Sequence, residues 1–237
     1  SGRRNHLLRA SILIPLFSEV GKPRHLIVSL PGCLMRSVFS VRGGMATSLL
    51  LACLSSTALA KPNILVIVLD DARYDSYSSN GGPSFFQSVN IDRIANEGVN
   101  FKNSFVTYAL CAPSRATMFT GLYPHNNGAY NNDTPYHTDL PTVSTILHDK
   151  GYYTALLGKF LMPTTEPTTP QPGWDFWMAT DKWAKIDPRY NRNGTEIFPK
   201  GHEMDILTDT AIHLFATKAN EQPMLMFLCY LSPHMAL

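Results

Sequence analysis

The chain has 237 residues, 44% of them apolar, 11% aromatic and 16% charged, and its 20 Lys and Arg against 18 Asp and Glu leave a net charge of +2. That length supports one large core or two small ones, and the composition is too apolar for an intrinsically disordered chain. Four cysteines are too few for a disulfide scaffold, and near-neutrality argues against a nucleic-acid partner.

The average hides two segments of opposite sign. Residues 1–60 carry seven basic side chains (Arg3, Arg4, Arg9, Lys22, Arg24, Arg36, Arg42) and a single acid, Glu19, a net +6 that leaves −4 for the remainder. Within the basic segment, Met45 opens a short apolar run that closes on Ala58-Leu59-Ala60, the small-x-small pattern of a signal-peptidase site. The run is too short to span a bilayer. The expected organisation is translated upstream sequence without order over residues 1–44, a signal peptide over 45–60 and a mature body over 61–237.

The body opens with an uninterrupted β-branched run over residues 63–69 that predicts a strand buried on both faces, ending in Asp70-Asp71. A short helix is expected over 91–97, capped by Asn90 and stopped by Gly98, then a second extended stretch over 99–106. A helix over 142–150 precedes Gly151, and a strand over 153–157 runs into Gly158-Lys159. Residues 162–200, rich in proline and threonine and holding Trp174, Trp177 and Trp183, read as a long loop whose aromatics either pack on the sheet or form a sugar platform. The amphipathic helix expected over 205–218 places Ile206, Ala211, Ile212, Leu214 and Phe215 on its apolar side. A fully apolar strand over 224–231 then ends in Ser232-Pro233-His234. Alternating strands and helices define an α/β protein with a largely parallel central sheet flanked by helices.

In such sheets ligands bind beyond the carboxyl ends of the strands. Three buried runs end there in a pair of acids, an ammonium and an imidazole. The sharper motif is Cys111-Ala-Pro-Ser-Arg115 followed by Thr120-Gly121. Pro113 suits a first helical turn and Gly121 a helix stop, so Cys111 is expected just before a helix N-terminus, where N–H groups and the dipole favour an anion. Arg115 adds a forked donor for sulfate or phosphate oxygens. A buried thiol, or a disulfide to Cys229, is the alternative reading of the same residue.

Cys-x-Pro-Ser-Arg followed by Thr-Gly resembles the signature of the type I sulfatases, in which the cysteine is oxidised to formylglycine. Gly151-Tyr152-Tyr153-Thr154-Ala-Leu-Leu-Gly158-Lys159 is similar to that family's second signature, and Lys61-Pro62-Asn63 leading to Asp70-Asp71 is similar to its N-terminal metal motif. The resemblance implies an alkaline-phosphatase-like fold, of which this chain would be the N-terminal part. It implies that Asp70, Asp71 and Cys111 help hold a divalent ion, Ca2+ or another such as Mg2+, and hard oxygen donors suit either. Hydrated formylglycine at Cys111 would attack sulfur, with Arg115 holding the diol and the metal-site carboxylates, Lys159 binding a sulfate oxygen, and His234 binding sulfate or protonating the leaving alcohol.

Many sulfatases continue the second signature with a Trp-His pair, where this chain has Phe160-Leu161. The N-acetylglucosamine-6-sulfatase and heparan endosulfatase branches resemble this chain there, and the former also at Tyr123-Pro124-His125-Asn126-Asn127-Gly128, Pro172-Gly173-Trp174-Asp175-x-Trp177 and Asp205-Ile-Leu-Thr208-Asp209. The partners implied are a sulfated carbohydrate or aryl sulfate and a formylglycine-generating enzyme, without nucleic acid or a stable membrane span. The implied location is secreted or lysosomal, or periplasmic in a bacterium. Related alternatives are a phosphonate or phosphodiester hydrolase of the same superfamily and a non-catalytic secreted glycan-binding protein. Because the family's later Asp-Asn pair and lysine lie beyond residue 237, these residues alone are expected to bind metal poorly and to turn over little substrate. Asn132-Asp-Thr134 and Asn193-Gly-Thr195 are glycosylation sequons.

Overall fold

A computed structural model describes residues 61–161, 169–180 and 184–235. The expected upstream segment and signal peptide lie outside the described residues, as do Trp183 and residues 162–168 of the long loop. Among the described residues no helix is long and apolar enough to cross a membrane.

In chain order the elements are β1 (Ile64–Asp70), α1 (Val89–Glu97), α2 (Cys111–Thr120), α3 (Pro124–Asn127), α4 (Val143–Asp149), β2 (Tyr153–Gly158), β3 (Phe176–Thr180), β4 (Tyr190–Arg192), β5 (Thr195–Ile197), α5 (Glu203–Lys218) and β6 (Met224–Pro233). One six-stranded sheet has the order β1-β6-β2-β3-β4-β5. The first four are parallel, and β4 and β5 continue antiparallel. The α/β reading with a largely parallel sheet therefore holds.

The sheet sorts its side chains by strand alternation. Leu156, Trp177, Ala179, Leu225, Phe227 and Cys229 point to the face covered by α2 and α4. Ala155, Leu157, Met178, Met224, Met226 and Leu228 point to the face covered by α5. The helix α5 buries Glu203, Leu207, Ala211 and Leu214, a helical repeat of three and four. Ile212, expected on that stripe, is 62% exposed, because it lies beside Ala211 at a spacing that turns it away from the sheet.

Three further expectations are corrected. Residues 99–106 form no strand: no neighbouring strand takes their backbone groups, and Lys102 instead ties them through its Nζ to Ser79 O and Asn80 Oδ1, at 2.6 and 2.9 Å. β1, expected to be buried on both faces, is an edge strand of the described sheet, and Leu65 and Ile67 are exposed on the side that α5 leaves uncovered. The loop expected over 162–200 instead supplies three strands. Its hairpin β4-β5 turns on Asn193-Gly194, both with positive φ (50° and 91°), as a tight two-residue hairpin requires. Trp177 is fully buried and Trp174 packs against the same core, so packing accounts for both tryptophans.

Candidate active site

The order β1-β6-β2 makes neighbours of the three strands whose ends carry chemistry, and because they are parallel those ends share one rim. Asp70 closes β1, Lys159 follows β2, and His234 follows β6. Each is placed by a local device. Gly158, at φ 93°, approaches β6 so closely that a Cβ would run into the Cys229 carbonyl, and Lys159 N–H then bonds that carbonyl at 2.9 Å. In β6 the register jumps from Leu69↔Tyr230 to Asp70↔Pro233, a bulge that gives Leu231 and Ser232 no counterpart and redirects the chain. Asp71 takes a left-handed φ of 58°, and its side chain is 48% exposed where that of Asp70 is 7% exposed.

The floor of the site is buried and charged. Asp70 is 6% exposed, Arg115 2% and Lys159 0%. Lys159 Nζ meets Asp70 Oδ2 at 2.5 Å, Arg115 Nη2 lies 3.6 Å from Asp70 Oδ1, and Arg115 Nη1 donates to Lys159 O at 2.6 Å. Arg115 Nη2 makes no hydrogen bond among the described residues, so its contact with Asp70 is an ion pair without a hydrogen bond. Two cations on one carboxylate offset the desolvation that isolation would impose.

Cys111 is the first residue of α2 rather than the residue before it. Its Sγ is 4.0 Å from Asp70 Oδ1. Of the N–H groups in that first turn, Ala112's is taken by Asn132 Oδ1 at 3.0 Å and Pro113 has none. Asn132, noted from the sequence only as a sequon, is thus a structural member of the site; nothing in its local pattern signals a contact to a helix 20 residues earlier. Cys111 and Cys229 are both free thiols. Burial pushes the Cys229 thiol up, against the pull of the nearby Arg115 guanidinium, so it stays neutral and inert beneath the floor.

At the mouth, His234 Nε2 pairs with Asp71 Oδ2 at 3.2 Å, with side chains 24% and 48% exposed. Ligand atoms of Asp70, Cys111 and His234 all lie within 4.8 Å of one another. The predicted residues Asp70, Cys111, Arg115, Lys159 and His234 therefore converge, while Asp71 joins them through His234 and stands outside that triad. The donor set suits a hard divalent ion in type, since Asp70 and Asp71 offer oxygens, but these few ligands cover only part of a six- to eight-oxygen shell. Phe160 and Leu161 are buried, with Phe160 stacked on Phe119 at 5.0 Å and edge-on to Trp177 at 4.9 Å. The positions that could have carried a further histidine serve the core instead.

A sequence model of the Sulfatase family matches residues 62–237. The chain belongs to the sulfatase family. An N-acetylglucosamine-6-O-sulfatase of Bacteroides thetaiotaomicron is 34% identical over 178 residues, which is 73% of this chain and 31% of that protein. The human N-acetylglucosamine-6-sulfatase is 27% identical over 240 residues, covering 90% of this chain and 40% of its own length. A solved structure in complex with its substrate, D-glucosamine-2-N,6-O-disulfate, superposes with a TM-score of 0.68 at 34% identity, over 73% of this chain and 35% of the other. The chain thus spans about a third of the B. thetaiotaomicron sulfatase.

Proposed function

We propose that the protein hydrolyses sulfate esters, with the 6-O-sulfate of N-acetylglucosamine in a glycosaminoglycan as the substrate class. The observation that carries this reading is the convergence of Cys111, Asp70, Arg115, Lys159 and His234 on one rim. The amino-sugar preference is supported by the sulfatases similar to this chain, three of which are N-acetylglucosamine-6-sulfatases by name.

In this reading Cys111, oxidised by a formylglycine-generating enzyme, supplies as the aldehyde hydrate the oxygen that attacks sulfur. Asp70 and Asp71, with residue 111, would hold a divalent ion, Ca2+ or Mg2+, which would lower the pKa of that oxygen and stabilise charge on the sulfate. Arg115 keeps Asp70 in place from below. Lys159 offers its ammonium to the sulfate oxygens. His234, the most accessible of the basic groups, passes a proton to the leaving sugar oxygen. The leader at residues 45–60 would route the protein out of the cytoplasm, to a secreted, lysosomal or periplasmic location.

The test is sulfate release from an N-acetylglucosamine-6-sulfate oligosaccharide by the whole protein and by its Cys111→Ala variant, with mass spectrometry of the peptide carrying Cys111. An aldehyde at position 111 and turnover abolished by the substitution support the proposal. An intact thiol at position 111 in active protein would sink the mechanism, and phosphonate or phosphodiester cleavage without sulfatase activity would sink the substrate class.

A further inference from the structure

Glu203 is an oddity that the site does not explain by contact. It is the first residue of α5 and only 1% exposed, on the face of the sheet opposite α2. Its Oε1 accepts a hydrogen bond from Ser232 N–H at 3.1 Å, while Oε2 has no hydrogen-bond partner. Among the described residues no cation pairs with it. A helix N-terminus favours a carboxylate, yet full burial with one oxygen unsatisfied remains costly.

Its one bond lands where the fold is least regular. Ser232 lies in the β6 bulge, where the parallel ladder to β1 has lost its register. Pro233 and His234 follow directly, and the turn is closed from within by His234 N–H to Leu231 O at 3.0 Å. Without an acceptor from α5, the Ser232 N–H would be an orphan donor at the point that aims the imidazole. A second tie, Thr208 Oγ1 to Tyr230 Oη at 2.6 Å, joins the same helix to β6 one step before the bulge. It fastens the strand but does not touch the redirected segment.

We propose that Glu203 is a positioning residue for His234: from behind the sheet it fixes the Leu231–Ser232 bulge, which holds the imidazole against Asp71 and beside Asp70 and Cys111. The kinetic part of this proposal rests on the sulfatase reading; the structural part does not. A positioning role has a signature that packing lacks. Displacing a proton donor slows cleavage of a poor leaving group, such as a sugar alcohol, more than that of an activated aryl sulfate, whose leaving oxygen needs little protonation.

The test compares Glu203→Met, Glu203→Gln and Thr208→Val in the whole protein. Glu203→Met removes the acceptor while filling the space; relief of the half-satisfied carboxylate and the orphaned Ser232 N–H oppose each other, so its stability should stay close to the parent's. Its kcat on the sugar 6-sulfate should nevertheless fall about tenfold to a hundredfold, the usual scale for lost supporting contacts and misplaced groups. KM and aryl sulfate turnover should move much less. Glu203→Gln keeps an acceptor for Ser232 and should stay within about threefold of the parent, on the reasoning that only lost supporting contacts carry the larger cost. In NMR spectra the His234 ring resonances should shift in Glu203→Met and stay in place in Thr208→Val. Equal losses on both substrates, a Glu203→Gln variant as impaired as Glu203→Met, or unmoved His234 resonances would each overturn the proposal. If the parent cleaves no sulfate ester, the functional reading fails, and the His234 resonances still decide the role of Glu203.

Discussion

Asp70 and Asp71 are neighbours in the chain, and each meets a basic side chain, yet they belong to different regions of the site. Asp70 forms the floor, where its partner Lys159 has a side chain 1% exposed and its own is 7% exposed. Asp71 stands at the mouth, where the His234 and Asp71 side chains are 24% and 48% exposed. The backbone makes the difference, because β1 ends at Asp70 and the left-handed turn at Asp71 sends the next carboxylate outward. Floor charges are held by the fold and cannot leave without cost. Mouth groups are more open to solvent, and water and salt weaken their mutual attraction.

This contrast should be visible in stability. Lys159→Ala leaves the Asp70 carboxylate buried with Arg115 as its remaining ion-pair partner among the described residues, and should cost about 3 kcal/mol or more in denaturant unfolding. A loss under 1 kcal/mol would erase the distinction between floor and mouth. Gly158→Ala should cost about 2 kcal/mol, since a Cβ at positive φ meets the Cys229 carbonyl; a thermal melt near that of the parent would show that β2 and β6 are less tightly joined than described. His234→Ala should cost less than about 1 kcal/mol, and added salt should shrink that difference further, while the Lys159 effect survives salt.

The smallest effect concerns pH. Burial, followed by the charge of Glu203, raises the Tyr190 phenol above its ordinary range. Below the unfolded-state value of about 10 both states hold the proton and the contribution is complete. As pH rises beyond it, only the unfolded chain ionises and stability falls. Tyr190→Phe should therefore flatten the alkaline limb of a melting-temperature profile and leave the neutral region's slope unchanged. A parallel alkaline limb in both proteins would remove Tyr190 from the account.

Much of the site was legible in the chain because its residues sit at strand ends and helix starts, which leave local marks. Ile64 to Leu69 is a run of large apolar residues that stops at two acids, and Pro113 and Gly121 mark the first turn and the end of the cysteine helix. Other features left no local mark. Residues 176–180 read as loop because their proline- and threonine-rich flanks masked a strand that forms only against β2. Ile212 has the right chemistry for the core and the wrong angle. Glu203 reads as an ordinary first-turn acid, and Asn132 as a surface sequon, because both act on backbone N–H groups distant in sequence.

The sequence by itself determined the α/β class, the family signatures and the residue types that gather at the rim, since periodicity, turn chemistry and short motifs are local properties. Only the tertiary structure decided which carboxylate became floor and which became mouth, that a buried glutamate on the far face braces the histidine, and that Phe160 and Leu161 went to the core. Those outcomes depend on register, burial and contacts between segments more than 20 residues apart, where the energy of a charge or a hydrogen bond is set by its surroundings rather than by its neighbours in the chain.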